Sequence, residues 1–114
     1  MNLDLARRHC RSFPHVTETV QWGDNLVFKV GGKIFAIASL EPAEIWLSFK
    51  CSDEDFADLT ERPGIVPAPY LARAHWVALE TEDAMPAAEL RAALKNAYAL
   101  VEAKLPRKTR AQLL

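Results

Sequence analysis

NLVFKVGGKIFAIAS, residues 25–39, consists of two segments of alternating hydrophobicity on either side of a diglycine. Paired glycines readily adopt the positive φ angles that a two-residue hairpin turn requires. We therefore predict that Asn25–Val30 and Lys33–Ser39 form an antiparallel hairpin around Gly31-Gly32. A turn this short also determines which residues lie opposite each other, because turn length sets the strand register.

The predicted register decides which side of the hairpin is buried. It places Val30 opposite Lys33, Phe28 opposite Phe35 and Leu26 opposite Ile37. A slip by one residue would separate the two phenylalanines onto opposite faces, so burial and turn chemistry favour the same pairing. We expect helices to cover the face that carries Phe28, Phe35 and Ile37, and the small residues Ala36 and Ala38 to lie on the other face.

The flanking sequence extends this hairpin into an α+β domain. The remaining predicted elements are a helix over Leu3–Ser12, strands over Thr17–Gln21, Glu44–Lys50 and His75–Glu80, a helix capped by Ser52 and ended by Pro63-Gly64, and a helix from Pro86 to near Pro106. The segment Ile65–Ala74 contains two prolines and is predicted to be a structured loop, with a short strand at its start left open.

This order, α-β-β-β-β-α-β-α, predicts a two-layer fold. Strands joined by tight turns pair antiparallel, so we expect a mostly antiparallel five-stranded sheet with helices packed on one face. A chain of 114 residues buries a sizeable core. The predicted core consists of large apolar side chains from strands and the last helix: Phe28, Phe35, Ile37, Leu47, Phe49, Leu94 and Val101.

The length and the net charge of the chain limit the domain organisation and the kinds of partner that we expect. The 114 residues predict one domain over residues 1–106, followed by a short basic tail over residues 107–114. Fourteen basic against fifteen acidic side chains leave a formal charge of −1, so the whole chain is not a polycation. After Glu102 there is no carboxylate side chain, and the basic tail is interpreted either as a phosphate contact or as a solubilising terminus.

Several classes of protein are not supported by the sequence. No apolar segment approaches the roughly 18 residues of a membrane span, and the N-terminus lacks the apolar region of a signal peptide. Cys10 and Cys51 are interpreted as reduced, buried thiols, which favours the cytoplasm. The three acids after Cys51 oppose a reactive thiolate, so we predict no catalytic residue and no enzyme activity. The motifs of metal and cofactor sites are missing, and we expect neither group.

Basic side chains are the remaining candidates for binding. Arg7, Arg8 and Arg11 form a stripe on the first helix, and Lys29, Trp46 and Lys50 are predicted to share the helix-free face of the sheet. An open face with a tryptophan and lysines suits either nucleic acid or a protein partner, including a second copy. Lys33 lies on the predicted core side, where its stem passes the end of the sheet or its amine meets a ligand.

Several short motifs, taken together and in this order, resemble the MmcQ/YjbR-like family from about Leu3 to Leu105. They are Gly31-Gly32-Lys33-Ile34-Phe35-Ala36, Ile45–Lys50, Pro63-Gly64-Ile65, Pro67–Leu71, His75-Trp76-Val77 and Tyr98–Val101. The resemblance implies an antiparallel α+β fold similar to secretion chaperones and frataxin-like proteins. It also implies DNA binding, through analogy with a double-wing arrangement.

The resemblance carries over residue by residue onto a limited set without any established catalytic role: Lys33, Phe35, Lys50, Pro67, Pro69, Tyr70, His75, Trp76 and Tyr98. Two interpretations remain open. Pro69, Tyr70, His75 and Trp76 serve packing, or Lys33, Lys50, Arg73, His75 and Trp76 converge at one end of the sheet to hold an anion.

We therefore expect a non-enzymatic DNA-binding protein that contacts phosphates through scattered basic residues. The alternative is a chaperone-like protein-interaction module that does not bind nucleic acid and uses the Trp46 face or the long helix. The candidate DNA-binding residues are Arg7, Arg8, Arg11, Lys29, Lys33, Lys50, Arg73, His75, Trp76, Arg107, Lys108 and Arg110. A membrane or a metal is not expected as a partner.

Overall fold

The central hairpin forms at the predicted place in the computed structural model, which describes residues 1–113. Strands β2 (Asn25–Val30) and β3 (Lys33–Ser39) pair antiparallel across a turn in which Gly31 and Gly32 have φ angles of 57° and 80°. Both angles are positive, as the two-residue turn requires. The first two pairs are also as predicted, with Val30 opposite Lys33 and Lys29 opposite Ile34.

Beyond those two pairs, the predicted register is wrong because β3 contains a β-bulge. Phe35 is the extra residue, so Phe28 lies opposite Ala36 instead of Phe35, and Leu26 lies opposite Ala38 instead of Ile37. One extra residue switches every later side chain to the other face. Ala36 and Ala38 therefore join the buried core, and Ile37 lies on the opposite face. Phe28 and Phe35 are still both buried on the core side, with ring centroids 6.4 Å apart.

The sheet has six antiparallel strands, so the prediction of five is wrong. The additional strands are β1 (Val16–Gln21), β4 (Leu47–Lys50), β5 (Ile65–Pro67) and β6 (Trp76–Leu79), in the spatial order β1-β2-β3-β4-β6-β5. The sixth strand is β5, at the start of the predicted loop Ile65–Ala74, where a short strand was left open; it is three residues long and pairs with β6. On an edge strand, every second amide faces solvent, so a proline at such a position loses no hydrogen bond to the sheet and Pro67 does not prevent pairing.

Four helices complete the fold. Helices α1 (Leu3–Arg11), α2 (Asp53–Leu59) and α3 (Ala87–Ala103) agree with the predicted elements, and the Ser52 hydroxyl caps α2 by accepting from the Asp55 amide. Residues of these helices share one buried cluster with Phe28, Phe35 and Phe49. The predicted basic tail contains a fourth helix, α4 (Arg107–Leu113), which begins directly after Pro106.

In residues 1–113, no α-helix covers the other face of the sheet, which we call the helix-free or open face. It is partly covered by residues 68–75, which contain a short 3₁₀ turn over Ala72–Ala74 and which we call the covering loop. Ala68 and Trp76 are buried there against Ala78, and Ile34, Ile37, Ile45, Val66 and Leu71 pack around them. The core is thus divided by the sheet into a large cluster under the helices and a small one under the covering loop.

Helices capable of crossing a membrane do not occur in residues 1–113.

Of the seven residues predicted for the core, all except Ile37 lie in the large cluster.

Candidate functional site

Charge is segregated along the strand direction. The connections at one end of the sheet, residues 22–24, 40–46, 60–64 and 80–86, contain one basic side chain, Arg62, which is paired with Glu89. They contain seven carboxylates: Asp24, Glu41, Glu44, Glu61, Glu80, Glu82 and Asp83. The connections at the opposite end, residues 12–15, 31–32, 51–52, 68–75 and 104–106, contain no carboxylate and lead into the basic helix α4. We call these the acidic end and the basic end.

The basic end is most strongly cationic where α4 meets the β2–β3 turn. A Cβ atom on Gly31 would lie 2.6 Å from Leu105 Cδ1 and 3.1 Å from Thr109 Cγ2, so this backbone is in direct contact with the α3–α4 junction. Lys33 follows the turn on the same side of the sheet, opposite buried Val30. We define the basic patch as five side chains at this contact: Lys33, Lys104, Arg107, Lys108 and Arg110.

Most of this charge is not neutralised by neighbouring carboxylates. Among residues 1–113, Arg110 is the member of the patch that forms an ion pair: its Nη2 lies 3.3 Å from Glu102 Oε1. Lys33, Lys104, Arg107 and Lys108 are exposed and have no carboxylate within 4.0 Å among residues 1–113. The patch therefore presents four uncompensated cations to solvent.

A second group of candidates lies at the basic end beside β4 and β6. Lys50 Nζ donates to the Ala74 carbonyl oxygen at 2.8 Å, and His75 Nδ1 lies 2.7 Å from Asp53 Oδ1. Arg73 is exposed on the 3₁₀ turn. Helix α2 begins nearby with Asp53, Glu54 and Asp55, so this corner carries charges of both signs. The predicted anion site of Lys33, Lys50, Arg73, His75 and Trp76 thus shares one end of the sheet, but Lys50 and His75 already bind other groups.

The arginines of α1 form a third group, located against the first strand. Arg7 Nε donates to both Glu18 carboxylate oxygens at 3.0 Å, and Arg11 Nη1 lies 3.7 Å from Glu18 Oε1. The hydrogen bond with Glu18 raises the pKa of the Arg7 guanidinium. Arg8 points to solvent. These contacts hold α1 against the edge strand β1. Of the three arginines in the predicted stripe, Arg8 is the one without an ion pair among residues 1–113.

Trp46 is not placed as predicted. Trp46 was expected to share an exposed face with Lys29 and Lys50, but β4 begins only at Leu47, so the strand alternation does not extend to it. Trp46 instead packs against the large core cluster, and its Nε1 donates to the Thr81 carbonyl oxygen at 2.8 Å. Trp76 is only 6% exposed. Lys29 is half-buried on the helix-free face, opposite Ile34.

A cavity of about 690 Å³ opens on this helix-free face, between the sheet and the covering loop. Its lining is mostly apolar and includes Ile34, Ile37 and Trp76. Trp22 and Tyr70 also line it and are among the most exposed apolar side chains of the described chain. This cavity is not predictable from the sequence alone, because it forms only when residues far apart in the chain are brought together.

The two cysteines lack the properties of catalytic nucleophiles. Burial raises the pKa of the Cys51 thiol to about 11, and Asp55 and Asp53 add to the shift. Burial likewise raises the pKa of Cys10 to about 12. Both thiols are free, and Cys51 Sγ donates to the His75 carbonyl oxygen at 3.3 Å. A thiol with a raised pKa is a poor nucleophile near neutral pH because little of it is ionised.

Groups of three or more side chains suited to hold a metal ion do not occur in the part of the chain that the structure describes. The fold and its surface thus define a small α+β domain with a helix-covered antiparallel sheet, an apolar cavity on the open face and a localised basic patch. The chain belongs to the YjbR family, whose model matches residues 11–100.

Comparison with solved structures agrees with this assignment. A crystal structure of a Deinococcus radiodurans protein, described as having a DUF419 domain, has a TM-score of 0.87 and 30% sequence identity, over 98% of this chain and 87% of that chain. A Pseudomonas syringae protein has a TM-score of 0.74 at 21% identity, over 89% of this chain and 99% of that one, which shows the fold alone. None of the curated proteins searched matches the chain.

Proposed function

We propose that the protein is a non-enzymatic, cytoplasmic DNA-binding protein that contacts phosphates through the basic patch. The observation that supports this proposal is the patch itself, in which four exposed cations stand free of carboxylates at one end of a molecule whose opposite end is acidic. A near-neutral protein with such an uneven distribution orients itself on a polyanion, with the acidic end held away from it.

This proposal narrows the candidate set. Lys33, Arg107 and Lys108 contact phosphates, and Lys104 joins them because it is exposed directly before Leu105, the residue that meets Gly31. Arg110 contributes less, since Glu102 partly neutralises it. Arg7 and Arg11 are engaged with Glu18, and His75 with Asp53, so we assign them to structure. The contacts are to the DNA backbone, which predicts little sequence preference.

The test is the salt dependence of binding to a 20-base-pair fluorescent duplex, measured by anisotropy. Release of about four counterions predicts a slope of log K against log salt of roughly −4, so that binding weakens by about two orders of magnitude between roughly 50 and 200 mM salt. The triple variant Lys33→Gln, Arg107→Gln, Lys108→Gln removes three of these contacts and reduces the slope by about 3.

The matched control is Arg8→Gln, Arg91→Gln, Lys95→Gln, which changes the net charge equally on exposed sites of α1 and α3. It retains binding if the patch is responsible. Equal loss in both triple variants would show a diffuse charge effect, and absence of binding at 50 mM salt would refute the proposal.

A protein-interaction module is the competing function. It was predicted to use either the Trp46 face or the long helix. Trp46 packs against the core side of the fold, so the long helix, α3, is the predicted surface that stays available to a partner. The same titrations distinguish the two functions, because a module that does not bind nucleic acid leaves the anisotropy of the duplex unchanged even at low salt.

A further inference from the structure

The apolar cavity on the helix-free face has the size of a small-molecule site. Such sites are typically roughly 300–1,000 Å³ and mostly apolar, with a few polar groups. The cavity measures about 690 Å³. Its polar side chains are Asn25, Ser39 and Ser48, of which Asn25 donates to the Trp22 carbonyl oxygen and Ser39 to the Ile45 carbonyl oxygen. The proposed DNA contact does not use any of these residues.

Tyr70 stands at the rim of the cavity in a strained conformation. The Leu71 amide donates to the Ala68 carbonyl oxygen at 3.1 Å, which closes a turn with Pro69 and Tyr70 at its centre. Tyr70 has a φ of 65°, at the position of this turn where glycine is the usual residue. The energetic cost of this backbone conformation is not offset by packing of the Tyr70 side chain, because that side chain is fully exposed. Strain of this kind is concentrated at functional sites.

Trp22 repeats this arrangement at another part of the rim. It lies in the turn between β1 and β2 with a φ of 51°, and its side chain is 65% exposed. A bulky residue in the left-handed region costs about 1–2 kcal/mol relative to an ordinary backbone conformation. Two large aromatic side chains are therefore held at strained positions, unpacked, around one apolar cavity, whose lining also includes the buried ring of Trp76.

The charge of the lining limits what the cavity accepts. All of its lining side chains are uncharged. The nearest carboxylates in sequence, Asp24 beside Asn25 and Glu44 beside Ile45, are negative and disfavour an anion at that part of the rim. The uncharged lining and the two neighbouring carboxylates therefore favour a neutral occupant over an anion.

We propose that this cavity binds a neutral, largely apolar small molecule with a planar ring, which packs against Trp22, Tyr70 and Trp76. Aromatic side chains attract planar rings through offset-stacked and edge-to-face contacts in addition to the apolar area buried. The site lies on the face of the sheet opposite the helices, so its occupancy is independent of the proposed DNA contact at α4.

A matched pair of fluorescent probes tests both the site and its charge preference. N-phenyl-1-naphthylamine is neutral, and 8-anilino-1-naphthalenesulfonate has the same ring system with an added sulfonate. The neutral probe is expected to bind saturably, one per protein chain, and about tenfold or more tightly than the sulfonate. Equal binding of both probes, or binding without saturation, would overturn the proposal.

Two substitutions locate the probe without disturbing the backbone. Tyr70→Gly and Trp22→Asn each place a residue that tolerates a positive φ where an aromatic ring stood. Each is expected to weaken binding of the neutral probe about tenfold, while the urea midpoint of unfolding stays at or above that of the wild type. The control, Leu5→Ala, removes an exposed apolar side chain from α1 and leaves binding unchanged.

The oligomeric state of the protein decides whether a small molecule or a second copy of the chain occupies the cavity. Sedimentation of the wild type as a monomer, with probe affinity independent of protein concentration, supports a small-molecule site. A dimer that Tyr70→Gly converts to a monomer would show that a second copy covers the cavity, and would overturn the proposal. Unchanged probe affinity in both rim variants would also overturn it.

Discussion

The two faces of the sheet use the same strands in different ways. Under the helices, the side chains form one continuous cluster in which Phe28, Phe35 and Phe49 are completely buried. On the open face, the buried cluster contains only Ala68, Trp76 and Ala78, and a cavity remains beside it. Filled interiors stabilise folds, whereas unfilled apolar space beside exposed aromatic rings is available for binding. We infer that the helix-covered face maintains the fold and that the open face can vary without loss of it.

The largest expected effect is a difference between truncations on the two faces. Phe35→Ala removes a ring that contacts Phe13, Phe28 and Tyr98 under the helices, and is expected to cost about 3–5 kcal/mol of unfolding free energy. Ile37→Ala, two residues further along β3, is expected to cost roughly 1–2 kcal/mol, because Ile37 is half-buried on the open face. Urea unfolding measures both.

That pair of variants tests the β-bulge directly. In the register predicted from the sequence, both side chains belong to the same core, and the two losses would be similar. Equal losses would therefore contradict the bulge and the comparison between the faces.

The sequence predicted the elements well, but it could not show the bulge. Turn chemistry fixes the pairs next to Gly31-Gly32, and alternation then implies Phe28 opposite Phe35. The bulge depends on packing from distant elements, since Phe35 fits beside Phe13 and Tyr98 only when the helices are in place. The short strand at the start of Ile65–Ala74 was left open for a similar reason, because its three residues become strand β5 only by pairing with β6.

The candidate sites were predictable to different degrees. The cations after Glu102 are visible in the sequence, but their position beside Lys33 depends on the contact between Gly31 and Leu105. Tyr70 was identified through the family resemblance, whereas Trp22 was not among the candidate residues. The one local signal for the cavity is Pro69 followed by tyrosine where a glycine is usual.

The next prediction concerns the contact that joins the helix-covered face to the basic patch. Gly31→Ala places a Cβ atom 2.6 Å from Leu105 Cδ1 at a φ of 57°, and is expected to destabilise the protein by about 2–3 kcal/mol. Gly32→Ala has a φ of 80° but no atom within 4 Å of the new Cβ, so only the backbone strain of about 1 kcal/mol applies. Chemical denaturation of the two variants measures the difference.

This second pair also separates strain from contact. If Gly32→Ala is as damaging as Gly31→Ala, the turn conformation alone sets the cost, and α4 is not held against the hairpin. In that case, Lys33 on the hairpin and the cations of α4 would not be held next to each other as one basic patch.

The smallest expected effect concerns ionisation beneath the helix-covered face. Burial raises the pKa of Cys51 to about 11 and that of Cys10 to about 12, above the ordinary thiol value of 9.0. Burial also raises the pKa of Tyr98, which packs against Phe35 at the edge of the same core. The folded state thus holds these protons more tightly than the unfolded state, so their stabilisation is complete below pH 9 and is lost as the pH rises towards 11 and 12.

Cys10→Ala isolates the thiol contribution from that of Tyr98, because only one ionisable group is removed. Its unfolding free energy is expected to decline less steeply above pH 9 than that of the wild type, by on the order of 1 kcal/mol per pH unit at most. Urea titrations from pH 8 to pH 11 provide the measurement. Parallel declines in the two proteins would mean that water reaches Cys10 before the fold opens, and the helix-covered face would then be less tightly closed than its packing indicates.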